Sequence, residues 1–194
     1  MNIFGLSCGI FEKEIRYLIE NKRIDIPFQF LDSSLHMYPQ KLNLVLDKKI
    51  EKLRNENKKI IIVYGECHAF MIDVDDDKYV YRTPGINCIQ IILGTDRYRK
   101  LRKEGAFIFM PEWIERWKEI FSEHLGLKGE LGKEMINDMH SKLVYIKTPC
   151  YEDDSKYIDE VREYFDMKVD IEYSDLSFLE DSIKNGVKVL RNVK

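Results

Sequence analysis

Residues 59–65 have the sequence KIIIVYG, and this stretch decides the fold. Its run of β-branched residues predicts a strand that is covered on both faces, as in a parallel sheet with helices on either side. The glycine that closes the stretch ends the strand, and Glu66, Cys67 and His68 follow it directly. The sequence therefore predicts a buried parallel strand with three titratable side chains at its carboxyl end.

Strands alternate with helices on both sides of this stretch. The segments NIFGLS, PFQFLDSS, AFIFM, KLVYIKT and KVDIEYS predict further strands. Helical spacing of apolar residues predicts the segments between them as helices, including one long helix over PEWIERWKEIFSEHL. Pro39 begins another predicted helix, and Asn87 caps one that runs to about Gly94. The alternation predicts an α/β, Rossmann-like fold in which one or more mostly parallel sheets are flanked by helices.

The predicted elements fit either one continuous domain or two similar lobes with a cleft at the carboxyl ends of the strands. In a faint internal repeat, IFGLSC, a helix and PFQFLDSSL match VYIKTPC, a helix and KVDIEYSDL. The repeat fits two lobes, and chance similarity between two βαβα units explains it equally well. The lobes would then be residues 1–104, which carry the predicted cysteine site, and residues 105–194. The repeat places Cys8 within one position of Cys150, and Cys150 would join the site only if the repeat is real.

Composition narrows the classes of function. The net charge is −3, and Lys and Arg alternate with Glu and Asp, so the sequence lacks the basic stripe of a nucleic-acid binder. No apolar run approaches the length of a membrane span, and Met1 leads straight into a predicted strand. We therefore expect a cytoplasmic protein that binds neither nucleic acid nor membranes. In that compartment the four cysteines indicate core filler, reactive thiols or metal ligands rather than disulfides.

Side chains that bind metals follow four segments of the chain. Cys8 ends the first predicted strand, His36 lies just past the second, Cys67 and His68 end the third, and Cys88 opens the next helix. The carboxyl ends of parallel strands share one edge, where α/β proteins bind their ligands. Thiolates hold zinc and iron–sulfur clusters, and a helix N-terminus stabilises the thiolate form. The pattern predicts a metal site of Cys8, Cys67 and Cys88, with His36 or a small molecule as a further ligand.

The residues leave alternatives open. Cysteine is among the most buried residue types, so the thiols could fill space or line a pocket wall, or one of them could be the nucleophile of a metal-free thiol enzyme. Glu66 and His68 are the candidate catalytic residues, because either could move a proton beside a bound metal. A solvated glutamate and a loop histidine are the plainer interpretations. The spacing of the cysteines does not distinguish zinc from an iron–sulfur cluster.

Six blocks of the sequence together resemble a known family. The blocks are SCGIFEKEI, LDSSLHMYPQKL, VYGECH, GINCIQIILGTDRYR, FMPEWIERW and DLSFLEDSI. They are similar to the bacterial and archaeal domain-of-unknown-function family sixteen thirty-eight, and the three cysteine blocks are the most specific part. The resemblance places the family's cysteines on Cys8, Cys67 and Cys88 and the histidine of its "LH" block on His36. Cys150 has no counterpart in the family pattern.

The resemblance implies a metabolic context for the protein and does not imply a reaction mechanism. Members of the family accompany corrinoid proteins and methyltransferases for methylamine- or betaine-type substrates, which implies a role in corrinoid-dependent one-carbon metabolism. A zinc with three thiolates would activate an acceptor thiol for methyl transfer, and a three-cysteine iron–sulfur cluster would suit redox upkeep of a corrinoid. We expect either a metal-dependent methyltransferase or accessory enzyme of this kind, or a metal-free module that binds a small molecule, a corrinoid protein or a methyltransferase.

Overall fold

The computed structural model describes residues 2–66, 77–127, 129–152 and 154–193. Within these ranges the strands are β1 (Ile3–Cys8), β2 (Phe28–Leu31), β3 (Lys59–Val63), β4 (Val80–Arg82), β5 (Ala106–Phe109), β6 (Lys142–Lys147) and β7 (Val169–Tyr173). The α-helices are α1 (Glu12–Glu20), α2 (Pro39–Asn55), α3 (Cys88–Leu93), α4 (Thr95–Lys103), α5 (Pro111–Ile114), α6 (Trp117–Glu119), α7 (Gly129–Met139), α8 (Ser155–Phe165) and α9 (Ser177–Asn192). Two 3-10 turns, Gly9–Phe11 and Ser33–Met37, precede α1 and α2, and a π-helical turn, Ile120–His124, follows α6.

The strands form two sheets, and every described pairing between them is parallel. One sheet has the order β2-β1-β3-β4, and the other has the order β5-β6-β7. All five residues of β3 are buried, as its β-branched sequence predicts for a strand with helices on both faces. The predicted α/β, Rossmann-like fold is confirmed.

Contacts along the chain divide it into two compact units. Met1–Ile92 and Leu176–Lys194 form the first unit, and Leu93–Asp175 form the second. The last helix, α9, therefore belongs to the same unit as the first strands. A unit defined by contacts differs from a domain that folds alone, so the division into residues 1–104 and 105–194 stays a prediction.

Different helices cover the two faces of the four-stranded sheet. On one face, Leu6 and Ile62 share a buried core cluster with Leu46 of α2. Side chains alternate along a strand, so the ring of Phe30, which pairs with Ser7, lies on the opposite face. Arg16 of α1 lies over that ring at 5.0 Å. Thus α1 and α2 lie on opposite sides of this sheet.

A buried lysine and a close approach hold α9 on the first unit. Lys59 Nζ donates hydrogen bonds of 2.7 Å to the backbone oxygens of Leu190 and Val193, at the end of the helix where carbonyls lack helical partners. Further along α9, a Cβ added at Gly186 would lie 2.5 Å from Cδ1 of Tyr81. Helix α9 thus packs on β3 and β4, which lie much earlier in the sequence.

The second unit has an aromatic core, and an ion pair joins two of its elements. Phe109, Trp117, Phe121, Tyr145 and Phe165 are buried together, among the other residues of one cluster. On the other face of the three-stranded sheet, α4 is joined to β7 because Arg97 Nε donates to Glu172 Oε1 at 2.6 Å. The predicted helix over residues 111–125 is wrong as one continuous element, because α5, α6 and the π-helical turn share that segment.

Candidate metal and ligand site

The order of strands in the first unit points to one edge of its sheet. β1 and β3 are neighbours, but α1 leaves β1 over one face and α2 returns to β3 over the other. In α/β sheets such a reversal opens a crevice beyond the carboxyl ends of the two strands. The described strands of the second unit follow one another in a single direction, without a reversal. We therefore place the candidate site at the carboxyl ends of β1, β3 and β4 and call this place the switch-point edge.

Cys8 lies at the switch-point edge as the last residue of β1. It pairs with Leu31 of β2, and the pairing of Ser7 with Val63 brings it beside Tyr64, the residue after β3. Its side chain is partly buried and packs against the core cluster on the α2 face. Among the described cysteines, Cys8, Cys88 and Cys150 are not in disulfides. Cys8 therefore sits where the sequence predicts it, at a strand end beside the crevice.

A close backbone contact joins the third strand to the helix that begins with Cys88. A Cβ added at Gly65 would lie 2.5 Å from Cα of Asn87, so only glycine permits this approach. The Asn87 side chain accepts a hydrogen bond of 2.9 Å from the Gln90 backbone nitrogen, which confirms the predicted cap. Cys88 follows at the first position of α3 and is partly buried. The contact brings the segment that leads to Cys67 against the residue that precedes Cys88.

Cys67 and His68 lie outside the described residues. In the described ranges, no three His, Cys, Asp or Glu side chains lie close enough together to hold a metal ion. Cys8, His36 and Cys88 are all described and do not form such a group of three, whereas a set of Cys8, Cys67 and Cys88 is not covered by that observation. The metal site of Cys8, Cys67 and Cys88 and the proton-carrying role of His68 therefore stay predictions.

His36 lies in the 3-10 turn that follows β2. Its Nδ1 is 2.5 Å from the backbone oxygen of Ser33. A carbonyl oxygen only accepts, so Nδ1 carries the proton and a neutral ring keeps its lone pair on Nε2. This is the tautomer in which a histidine binds a metal through Nε2. The geometry therefore fits the chemistry of a ligand at this position, and the ligand role stays a prediction.

Glu66 forms an ion pair that the sequence did not predict. Its Oε1 is 3.5 Å from Nη2 of Arg82, at the end of β4. The Arg82 side chain is only 8% exposed, whereas the Glu66 side chain is 48% exposed. The half-exposed carboxylate thus lies over a buried guanidinium at the switch-point edge. A three-residue strand is too short to show apolar alternation, so β4 and its arginine gave no signal in the sequence.

Comparison with known families matches residues 30–183 to a family described as Protein of unknown function (DUF1638). The chain belongs to the DUF1638 family. The matched range contains His36, Cys67 and Cys88 and begins after Cys8. The curated proteins and the solved structures gave no match to this DUF1638 protein. Across the part of the chain that the structure describes, no helix combines the length and apolar character needed to cross a membrane.

The strand registers of this DUF1638 protein separate Cys150 from Cys8. Gly5 pairs with Phe28 in the first unit, and Leu143 pairs with Val169 in the second. In the first unit β1 pairs with β2, and in the second β6 pairs with β7, so the repeat makes these two pairs of strands equivalent. Cys8 lies three residues after Gly5, and the residue three positions after Leu143 is Ile146 rather than Cys150. Cys150 is therefore not the equivalent of Cys8 in the second sheet.

Proposed function

We propose that this DUF1638 protein is a cytoplasmic metal-binding protein in which Cys8, Cys67 and Cys88 hold zinc or an iron–sulfur cluster at the switch-point edge. The observation that carries the proposal is the approach of Gly65 to Asn87, because it draws together the segments that lead to Cys67 and Cys88. Cys8 supports it as well, since β1 ends beside β3. Three thiolates from three segments match the donor set of either metal group.

The residues around the cysteines have distinct proposed roles. His36 would complete the ligand shell through Nε2, since its Nδ1 is engaged with a backbone carbonyl. Where a small molecule takes that position instead, bound zinc supplies Lewis acidity toward an acceptor thiol. Glu66 or His68 would then accept the proton that the thiol releases. Glu66 would take this role from a position in which its Oε1 lies 3.5 Å from Nη2 of Arg82.

The proposed setting is corrinoid-dependent one-carbon metabolism, with a corrinoid protein or a methyltransferase as partner. Its support is the family pattern of cysteines described above, together with the chemistry of thiolate-bound metals. Zinc would suit transfer of a methyl group to a thiol, and an iron–sulfur cluster would suit reduction of an oxidised corrinoid. The protein would be the methyltransferase itself or an accessory enzyme.

The proposal is tested by metal analysis and an absorption spectrum of the anaerobically purified protein. We expect close to one zinc ion per chain, or iron with the broad visible absorption of a cluster. Changes of Cys8, Cys67 and Cys88 to serine, one at a time, should each lower the metal content by about tenfold or more. Cys150→Ser is the matched control and should leave the metal content unchanged.

Folding of each variant is checked by circular dichroism, so that metal loss is not confused with unfolding. Two results would overturn the metal site. One is wild-type protein that is metal-free and whose four thiols react with an alkylating reagent at similar rates. The other is a Cys150→Ser variant that loses as much metal as the other three.

A second candidate function is a metal-free module that binds a small molecule or a corrinoid protein. The observation that favours it is the exposure of three apolar side chains in the loops that leave the carboxyl ends of β2 and β4. These are Met37, Tyr38 and Ile86. Exposed apolar groups around a crevice favour binding of an apolar ligand or a protein surface. A pulldown of the corrinoid protein that is unaffected by changing all three site cysteines to serine would support this candidate over the metal site.

A further inference from the structure

The outer edge of β7 is open. β7 ends the three-stranded sheet, and among the described strands it pairs only with β6. The Leu143 nitrogen donates a hydrogen bond to the oxygen of Lys168, and the Ser174 nitrogen donates to the oxygen of Lys147. Backbone groups of successive residues point to opposite sides of a strand, so the even-numbered residues of β7 face β6. The odd-numbered residues of β7 therefore point their backbone groups away from the sheet.

Three residues of β7 face outward in this way, namely Val169, Ile171 and Tyr173. Within the ranges that the structure describes, no group donates to or accepts from their backbone N–H and C=O groups. Unpaired groups along an edge strand form a template on which another strand can pair. Proteins usually block such an edge with a proline, with a lysine or with a covering element, and none of these three residues is proline or lysine.

The side chains of the same three residues form an apolar row on one face of the sheet. Val169 packs against the aromatic core cluster of the second unit, and alternation places the other two on the same face. Ile171 is 42% exposed and Tyr173 is 73% exposed. No other strand in the described part of the chain carries a large apolar side chain that is this exposed. The open edge therefore favours a partner strand that has apolar side chains of its own.

We propose that β7 pairs antiparallel with β7 of a second copy of this chain, about a twofold axis that passes beside Ile171. In this register Ile171 lies opposite Ile171, and Val169 lies opposite Tyr173 of the second copy. Outward-facing residues thus meet outward-facing residues, and about six backbone hydrogen bonds form between the copies. The two three-stranded sheets become one sheet of six strands. The pairing goes beyond the metal site and does not depend on it.

The apolar row complements itself, and this is the reason that the occupant is a second copy. Opposite residues of an antiparallel pair place their side chains on the same face, so the two rows join into one apolar ladder. The pairing of Val169 with Tyr173 sets a β-branched residue against an aromatic ring, which is a favourable cross-strand pair. This register uses all three outward-facing residues of both copies, whereas a shift of two residues in either direction leaves one of them without a partner.

The charged face of β7 is compatible with the pairing. Asp170 lies opposite Glu172 of the second copy in this register, and both carboxylates have cations in their own chain. Lys168 Nζ is 2.5 Å from Asp170 Oδ1, and Arg97 Nε donates to Glu172 Oε1 at 2.6 Å. Because each carboxylate is paired with a cation, the repulsion between the two is reduced.

Sedimentation equilibrium tests the pairing, because the register makes residue 171 its own neighbour. The contact between two single strands is small, so we expect wild type to pass from monomer to dimer between about 1 µM and about 1 mM. Ile171→Lys and Ile171→Glu should each raise the dissociation constant by about tenfold or more, since like charges then lie opposite each other. An equimolar mixture of the two variants should associate at least about fivefold more tightly than either variant alone.

Val189→Lys is the matched control. Val189 is 43% exposed, as Ile171 is nearly, but it lies in α9, where the backbone groups bond within the helix. This variant should keep the wild-type dissociation constant within about twofold. A wild-type protein that stays monomeric throughout the range would overturn the proposal and leave the edge to an extended segment of another protein. Dimers that persist in both Ile171 variants, or a mixture that associates no better than either variant, would overturn it as well.

Hydrogen exchange gives a measurement that needs no variant, so the test stands even where Ile171→Lys does not fold. The amides of Ile171 and Tyr173 should exchange more slowly as the protein concentration rises, because the second copy bonds them. The amides of Asp170 and Glu172 face β6 and should exchange slowly already at the lowest concentration. Exchange at Ile171 and Tyr173 that stays fast while dimers form would show that the copies meet elsewhere.

Discussion

At the scale of single residues, Gly65 controls the geometry of the candidate site. Its backbone conformation is one that any residue adopts, and the constraint comes only from the space beside it. Added atoms at this position would meet the backbone of Asn87 rather than a side chain that can turn away. Because Cys88 is the next residue after Asn87, displacement of that backbone moves one of the proposed ligands.

Gly65→Ala is therefore expected to lower the free energy of unfolding by about 1–3 kcal/mol through overpacking. It should also change the rate at which Cys88 is alkylated, since α3 must shift. Urea denaturation and mass spectrometry of partly alkylated protein measure the two effects. Gly126→Ala is the control, because Gly126 has a positive φ of 68° but open space around it.

Gly126→Ala should lower the free energy of unfolding by about 1 kcal/mol through backbone strain alone, and it should leave the alkylation rate of Cys88 unchanged. A Gly65→Ala protein with wild-type stability and wild-type Cys88 reactivity would show that the approach of the two segments does not constrain the site.

Individual site residues were predictable to different degrees. Cys8 was predicted at a strand end and is found there, because a buried β-branched strand and its neighbours set the edge of the sheet. Arg82 was not predicted, because its burial depends on the packing of β4 against β3, a contact between segments far apart in sequence. The Glu66–Arg82 pair likewise depends on tertiary structure, and no local pattern in the sequence predicts it.

At the scale of elements, an ion pair joins β6 to the start of α8. Lys147 Nζ donates to Asp154 Oδ1 at 2.7 Å, and Asp154 is 3% exposed. Burial alone would raise the pKa of the Asp154 carboxyl, but hydrogen bonds from Lys147 and Tyr145 outweigh it and lower the pKa below its ordinary value of 3.8. Since the folded protein has the lower pKa, the unfolded chain binds more protons between the two values. The pair therefore stabilises the fold fully above pH 3.8, and this stability is lost as the pH falls below it.

Asp154→Asn should lower the free energy of unfolding at pH 7 by about 2–3 kcal/mol, because it leaves the charge of Lys147 without its buried counterion. The difference from wild type should shrink when urea denaturation is repeated at about pH 3.5. Asp159→Asn in the same helix is the matched control, since the Asp159–Arg162 pair is exposed. It should change stability by about 0.5 kcal/mol or less. A gap between wild type and Asp154→Asn that stays constant across this pH range would contradict the prediction.

The elements that were missed share a physical cause. A three-residue strand such as β4 has no periodicity to read, and its stability comes from its partner strand. The long helix predicted over residues 111–125 has an amphipathic pattern throughout, but the segment forms α5, α6 and a π-helical turn, and its Trp117 and Phe121 lie in the buried aromatic cluster. Tertiary packing outweighs local preference in both cases. The long, strongly patterned elements, β3 and α2 among them, were predictable because their local and tertiary preferences agree.

At the scale of the whole molecule, the first unit is built from two separate segments of the chain. Residues up to Ile92 build its sheet, and Leu176 onward returns as α9. The contacts that hold this return are internal to the first unit: Lys59 binds the end of α9, and Arg23 Nε donates to Glu180 Oε2 at 2.7 Å near its start. A division of the chain at residues 104 and 105 would assign α9 to the other half, and it would separate α4 from the strand it contacts.

Fragments of the chain distinguish the two divisions. Residues 93–175 keep the Arg97–Glu172 ion pair and the buried Leu101 of α4, so we expect this fragment to unfold cooperatively in urea. Residues 105–194 lack α4 and carry α9 without the strands on which it packs. We expect that fragment to expose apolar surface, bind a hydrophobic dye and unfold over a broad range of urea. Both fragments contain all three strands of the second sheet. Which of them unfolds more cooperatively therefore shows which contacts define a folding unit. If residues 105–194 fold cooperatively and residues 93–175 do not, the boundary predicted from the sequence is the correct one, and α9 draws its stability from the second half of the chain.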